Sequence, residues 1–172
     1  AGPIEDGERA LRPLRVSRTP LLDLVGPTQY VKFQSALDST VMHGWNYYWK
    51  STHLSELRDD LIDVIAEHAF SCSSPRSYVA MFHLKGAVSR VAEGATAFGN
   101  RQASHAITLD SVWQPGEDFG DRDTAWAREF FAALGRFRDG AYVNFLGGDE
   151  DPDRVREAYG GAVYDRLVDV KT

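Results

Sequence analysis

Three segments that are predicted to be strands carry side chains able to take up or release a proton: Asp110, His83 and Lys50. A carboxylate, an imidazole and an amine on one surface can transfer protons to and from a bound aromatic molecule. Because successive side chains of a strand point to opposite faces, Asp110 is predicted to share its face with Ala106 and Thr108. Proton transfer is therefore the first chemistry to consider.

The same alternation groups the neighbours of the histidine and the lysine. Met81, His83 and Lys85 share one face of their segment, and Tyr48 and Lys50 share one face of theirs. Whether all these groups lie on the same side of a sheet depends on the register between strands, which a shift of one residue reverses.

Apolar residues recur with strand and helix periods along the chain, without an internal repeat. The pattern predicts strands at residues 45–51, 77–91, 104–113 and 141–146. It predicts helices from Thr52 to about His68, from about residue 121 to Gly140, from Pro152 behind the N-cap Asp151, and near the end of the chain. We expect one domain over residues 1–172 of the α+β class: an antiparallel or mixed sheet with helices packed on one face and the other face open for a ligand or for dimerisation.

The composition excludes several classes of protein. A chain of 172 residues with 43% hydrophobic residues can bury one domain core. Its 19 basic and 25 acidic residues are mixed and give a net charge of -6, which predicts no nucleic-acid partner. No apolar stretch approaches the ~20 residues of a membrane helix, and no signal sequence is visible, so a cytoplasmic protein without membrane contact is predicted. The single cysteine, Cys72, can form no internal disulfide.

Two groups of potential metal ligands lack the spacing of known sites. The acidic residues between two predicted elements are Glu117, Asp118, Asp121 and Asp123. They fit no calcium loop, and a solvated acidic loop is the simpler interpretation. His43, His53 and His105 have no zinc-like spacing. No metal site is predicted.

Five short segments occur in the order found in the berberine bridge enzyme family. They are Tyr47-Tyr48-Trp49-Lys50-Ser51, Gly86-Ala87-Val88-Ser89-Arg90-Val91, Thr96-Ala97-Phe98 with Arg101, Ala141-Tyr142-Val143-Asn144-Phe145-Leu146, and the ending Ala158-Tyr159-Gly160 with Tyr164-Asp165-Arg166-Leu167 and Lys171. The chain thus resembles the substrate-binding domain of these FAD-dependent oxidoreductases. The resemblance implies an antiparallel sheet backed by helices, whose open face covers the substrate on the flavin ring.

The resemblance also selects site residues. In relatives, the tyrosine of a Tyr-x-Asn strand and a polar residue on the strand before the tryptophan face the substrate; these correspond to Tyr142 and Thr108. Alternation then places Asn144 beside Tyr142. The predicted catalytic residues are Tyr142, Asp110 and His83. The predicted substrate-binding residues are Asn144, Thr108, Ala106, Met81, Tyr48 and Lys50.

The resemblance implies FAD, but the motifs that hold it in the family do not occur in this sequence. These are the histidine and cysteine that attach the flavin, and a Tyr-Asp-Pro-x-Asn-x-Phe segment that closes its site. Gly99-Asn100-Arg101 stands where the family has Pro-His-Arg, and Lys85 stands where a glycine is expected. We therefore expect this chain to bind no cofactor, with FAD present only if a flavin domain is supplied elsewhere.

Two enzymatic functions follow. In the favoured hypothesis the chain binds a bulky aromatic or polycyclic intermediate of natural-product metabolism, such as antibiotic biosynthesis, and catalyses a flavin-independent condensation or cyclisation. The alternative is the substrate domain of an FAD-dependent oxidase that acts on a polycyclic or sugar-bearing metabolite. A protein that only binds or presents a metabolite is a third possibility. Because an uncovered sheet face exposes apolar surface, a homodimer that covers this face is also predicted.

Overall fold

Residues 2–172 are described by a computed structural model and contain seven α-helices and one three-stranded antiparallel sheet. They divide into two units, Ala1–His43 and Gly44–Thr172. The first unit holds helices α1 (Ile4–Ser17) and α2 (Tyr30–Gln34). No helix among the described residues is long and apolar enough to cross a membrane. The organisation as a single domain stays a prediction.

The sheet of the second unit consists of β1 (Asn46–Leu54), β2 (Tyr78–His83) and β3 (His105–Trp113), in the order β1-β3-β2. Their aromatic and β-branched residues favour extended backbone. The predictions at residues 45–51 and 104–113 are confirmed. The predicted strand at residues 77–91 is too long, because Gly86 adopts a φ of +76° and begins the short helix α4 (Ala87–Arg90).

Two helices pack on one face of the sheet and enclose the core. They are α3 (Asp59–His68) and α5 (Gly120–Ala133), which are linked where the Trp126 indole N–H donates to the His68 carbonyl over 2.8 Å. The core residues shared by the helices and strands are Leu54, Leu61, Ile107, Leu109, Trp126, Ala127, Phe130 and Leu134. The predicted α+β class, with helices on one face and the other face open, is confirmed.

Helix α3 begins at Asp59, seven residues after the predicted start at Thr52. Thr52 and Leu54 continue β1, where they pair with Ile107 and His105 of β3. The helical spacing of apolar residues begins inside a strand whose pairing overrides local helix preference. The helix itself ends at His68, as expected.

The C-terminal part contains two further helices, α6 (Pro152–Tyr159) and α7 (Gly161–Lys171). The predicted cap is confirmed, because the Asp151 carboxylate accepts a hydrogen bond from the Asp153 backbone N–H at 2.9 Å. Gly160, with a φ of +75°, separates the two helices.

The predicted strand at residues 141–146 is wrong, because this segment forms a 3₁₀ turn at Val143–Phe145. Its backbone groups are satisfied within the turn, where the Phe145 N–H donates to the Tyr142 carbonyl at 2.9 Å. The Phe145 carbonyl accepts a hydrogen bond from the Ser51 hydroxyl at 2.9 Å. A side chain of β1, and not a backbone ladder between strands, therefore attaches the turn to the sheet.

A buried carboxylate joins the first turn of α5 to the loop that precedes β2. Asp123 is fully buried and accepts hydrogen bonds from the backbone N–H groups of Ser73, at 2.8 Å, and Ser74, at 3.0 Å, and from the Ser77 hydroxyl. Asp123 therefore does not belong to a solvated acidic loop: it fixes the loop against the helix.

We expect Asp123→Ala to lower the free energy of unfolding by about 3 kcal/mol, because it leaves the buried Ser74 N–H and two further donors without their acceptor. Asp121→Ala, at an exposed position in the same helical turn, is the matched control and is expected to cost at most about 1 kcal/mol. Urea unfolding followed by circular dichroism measures both. Equal effects of the two substitutions would contradict the role assigned to Asp123.

Candidate functional site

The register of the three strands determines which side chains share the uncovered face. Residues that pair directly across strands point the same way. Asp110 pairs with Trp49 of β1 and with Tyr78 of β2, and Thr108 pairs with Ser51. Leu109 and Ile107 of β3 point to the helices. Asp110, Thr108 and their cross-strand partners therefore point to the opposite side of the sheet. We call this side the aromatic face: Trp49, Tyr78, Phe82, Thr108 and Asp110 on the strands, with Tyr142 and Phe145 above them.

Asp110 lies between two aromatic residues, Trp49 and Tyr78, at one end of the β2–β3 ladder. The Asp110 carboxylate accepts a hydrogen bond of 2.5 Å from the Thr108 hydroxyl. Removal from solvent raises the pKa of Asp110 above its ordinary value, and the bond from Thr108 offsets part of this effect. Burial also raises the pKa of the Tyr78 phenol, and the nearby Asp110 charge adds to it. A carboxylate with a raised pKa is suited to accept a proton from a bound hydroxyl group.

A chain of ring contacts connects the sheet to the 3₁₀ turn. Phe82 stacks on Phe145 with ring centres 5.8 Å apart, and Phe145 meets the Tyr142 ring edge-on at 5.1 Å. The Phe98 ring also packs against Tyr142, with ring centres 5.5 Å apart. The Asn144 amide donates to the Tyr142 hydroxyl at 2.7 Å. Tyr142 therefore lies on the same side of the sheet as Phe82, and the predicted pairing of Tyr142 with Asn144 is observed.

The segment Gly99-Asn100-Arg101 supports this turn from behind. Asn100 has a φ of +58° and its amide donates to the Ala141 carbonyl at 3.2 Å, next to Tyr142. Gly140 is required here, because a Cβ at this position would lie 2.6 Å from the Asn100 side chain. Arg101 is buried beside the Phe98 ring, 5.1 Å from its centre. This departure from the family pattern thus positions Tyr142 and Phe98.

Four of the predicted site residues lie on the helix-covered side of the sheet. The register pairs Met81 with Ile107 and His83 with His105, so both point away from Thr108. It pairs Tyr48 with Ser111 and Lys50 with Leu109, with the same result. The expectation that these four share a face with Thr108 is wrong by one residue in each strand. Ala106, Thr108 and Asp110 lie on the aromatic face as expected, and the functional roles of all these residues stay predictions.

Lys50 and Tyr48 belong instead to an ion-pair network that ties β1 to α5 and to the C-terminal part. The Lys50 ammonium contacts Asp149 at 2.8 Å and Glu150 at 3.0 Å. The Tyr48 hydroxyl donates to Asp149 at 2.9 Å, and Arg128 donates to both partners. Hydrogen bonds from Lys50, above all, lower the pKa of Asp149 to about 2. With every charge paired, this cluster is a structural connection.

Five aromatic residues on or beside the aromatic face are not among the residues predicted from the sequence. They are Trp49, Tyr78, Phe82, Phe98 and Phe145. Trp49, Phe98 and Phe145 are part of the segments that resemble the berberine bridge enzyme family, so the signal was present in the sequence. Tyr78 and Phe82 alternate with the predicted site residues Met81 and His83 of β2. The observed register places both on the aromatic face.

Two kinds of binding group can be compared with the described residues: a metal ion held by three or more side chains, and the pyrophosphate of a flavin at the start of α5. In residues 2–172, no three His, Cys, Asp or Glu side chains come together as metal ligands. The connection before α5 contains Gly116, but Gly120 at the helix start packs on Trp113, where a Cβ would lie 3.0 Å from the ring. Glu117 in the same connection is negatively charged and would repel a phosphate group. These residues do not fit the phosphate group of FAD.

Solved structures similar to this chain are oxidases of the berberine bridge enzyme type. GilR, an oxidoreductase that catalyses the terminal step of gilvocarcin biosynthesis, is 24% identical over 74% of this chain and 30% of its own, with a TM-score of 0.60. Berberine bridge enzyme from Eschscholzia californica is 18% identical over 74% of this chain and 30% of its own, with a TM-score of 0.61. Carbohydrate oxidase from Microdochium nivale is 18% identical over 99% of this chain and 40% of its own, with a TM-score of 0.72.

These similarities establish the fold of the chain. No protein-family model and no curated protein matches the sequence. The chain spans less than half the length of the three oxidases. The expected resemblance to the berberine bridge enzyme family is confirmed as a shared fold.

We expect the stability gained by Asp110→Asn to grow as the pH rises. The folded-state pKa of Asp110 is raised, so the wild type loses stability as the pH rises from the unfolded value, about 3.9, through the folded value. Asparagine does not ionise and keeps an oxygen for Thr108. Urea unfolding at pH 4 and pH 7 should therefore show a larger advantage for the variant at pH 7.

The control for this experiment is Asp63→Asn, an exposed position on α3. Its solvated carboxylate should give no comparable gain between the two pH values. An advantage of Asp110→Asn that shrinks as the pH rises would show that the fold stabilises the Asp110 charge, which contradicts the environment described above.

Proposed function

We propose that the aromatic face binds the substrate of an FAD-dependent oxidoreductase that acts on a polycyclic or sugar-bearing metabolite. The observation that carries the proposal is Asp110, a poorly solvated carboxylate between Trp49 and Tyr78, on the sheet face opposite α3 and α5 in a fold shared with oxidases. A structure of GilR contains pregilvocarcin, and another similar structure is a carbohydrate oxidase. These relatives support a ligand with aromatic rings, sugar hydroxyls or both.

The chemistry of the face fits such a ligand. The Phe82, Phe145 and Tyr142 rings provide an apolar wall on which a flat ring system can stack. Asp110 can accept a hydrogen bond from a ligand hydroxyl, while the Asn144 and Tyr142 side chains offer polar groups at the other end of the wall. Few polar groups within an apolar surface are typical of small-molecule sites.

Asp110 is the proposed general base. It would take a proton from a substrate hydroxyl group, and its raised pKa brings its basicity closer to the working pH. Thr108 positions the carboxylate through its hydrogen bond. FAD would supply the oxidising chemistry, and we assign its binding to no residue described here.

A flavin-independent acid–base reaction, the hypothesis favoured by the sequence, is the second candidate. Asp110 and Tyr142 share a face and are the two proposed proton carriers for it, while His83 lies on the other side of the sheet. Colourless protein that turns over a substrate would support this second candidate, whereas turnover that depends on added flavin would support the first. The homodimer stays a prediction, supported by the exposure of Tyr78 and Phe82 on the aromatic face.

Binding of aloin, a neutral C-glycosyl anthrone, tests the site without requiring the natural substrate. We expect saturable binding by isothermal titration calorimetry. Asp110→Asn should weaken it roughly tenfold, because a hydrogen bond to a charged group contributes about 1.5 kcal/mol or more. Tyr142→Ala should weaken it as well, through loss of the stacking surface.

Asp63→Asn, which removes a carboxylate on the helix-covered side, is the control and should bind like the wild type. Binding that is equally affected by all three substitutions, or by none of them, would place the ligand elsewhere and contradict the proposal.

A further inference from the structure

Two histidines face each other on the helix-covered side of the sheet. His83 and His105 are direct cross-strand partners in β2 and β3, and their ring centres lie 5.2 Å apart with the planes inclined by 60°. His83 is exposed and His105 is partly exposed, so both rings can be reached from solvent. The pair lies across the sheet from Asp110 and has no part in the proposed substrate site.

The spacing of the two rings suits a shared metal ion. Imidazole nitrogens bind zinc at about 2.0–2.1 Å, so two imidazoles on one tetrahedral ion hold their ring centres roughly 5 Å apart. The observed 5.2 Å between His83 and His105 agrees with this separation. The separation of the rings therefore allows both imidazoles to bind one ion.

A neighbouring serine contacts the ring of one ligand. The Ser104 hydroxyl oxygen lies 3.0 Å from the Leu54 carbonyl oxygen and 2.8 Å from Nδ1 of His105. In the tautomer that carries its proton on Nδ1, His105 donates to Ser104 and has its lone pair on Nε2. A hydrogen bond to the non-ligating nitrogen is the usual support of a metal-binding histidine.

We propose that His83 and His105 together bind one divalent transition-metal ion, of the class Zn²⁺, Ni²⁺ or Cu²⁺, with water in the remaining positions. Imidazole ligands favour these ions over Mg²⁺ or Ca²⁺. Lys85 lies two residues after His83, with its ammonium donating to the Gln102 carbonyl at 2.8 Å. Its positive charge opposes a bound cation and keeps the site weaker than a three-ligand site.

Calorimetric titration of tag-free protein with NiCl₂ at pH 7.5 tests the proposal. We expect one ion per chain, with affinity reduced tenfold or more in each of the single substitutions His83→Asn and His105→Asn. Ser104→Ala should reduce affinity by roughly 10-fold, the effect typical of a lost outer-shell partner. Lys85→Ala should bind the ion more tightly, because a repelling charge is removed.

His43→Asn, at an exposed histidine of the first unit, is the matched control and should bind like the wild type. Circular dichroism melts confirm that each variant is folded, and added NiCl₂ should raise the melting temperature of the wild type and not of His83→Asn. Wild-type affinity in His83→Asn, or an equal loss in His43→Asn, would overturn the proposal. So would a wild type that shows no saturable binding.

Discussion

The antiparallel register of β3 between β1 and β2 is the constraint on which the rest of the structure depends. Because side chains alternate, the register places Ile107 and Leu109 in the core with α3 and α5, and places Thr108 and Asp110 on the opposite side of the sheet. A slip of one residue would exchange these sets and bury a carboxylate among apolar side chains, at a cost of several kcal/mol. The core therefore fixes the register, and the register in turn assembles the aromatic face.

Three carboxylates show how the surroundings assign different tasks to the same chemical group. Asp123 is surrounded by donors and fastens a loop to α5. Asp149 is paired with Lys50 and Arg128, and its pKa falls to about 2. Asp110 has Thr108 alone to offset its burial, and its pKa rises. A carboxylate whose desolvation is least compensated, and which faces an open surface, is the best candidate for work on a ligand.

The sequence predicted the elements better than it predicted their relations. β1, β3, the start of α5 and the Asp151 cap follow from local patterns of residue period and capping, whereas α5 ends at Ala133 and not at the predicted Gly140. Alternation correctly grouped Ala106 with Thr108 and Asp110 within one strand. It could not place His83 or Lys50 relative to that group, because the register between strands depends on long-range packing. The composition around Tyr142 predicts a strand, because a segment rich in β-forming residues does not reveal that Ser51 and Asn100 satisfy its carbonyl groups in a turn.

The most direct test of this account is the measurement of nuclear Overhauser effects between side chains of the sheet in solution. The account predicts contacts from the Ala106 methyl group to the Phe82 ring and from the Phe82 ring to the Phe145 ring, with Ile107 methyl contacts confined to the core. Contacts between the Phe82 ring and core residues such as Phe130 would show that the two faces of β2 are the reverse of those described. The aromatic face would then not exist, and no ligand site could be assigned to it.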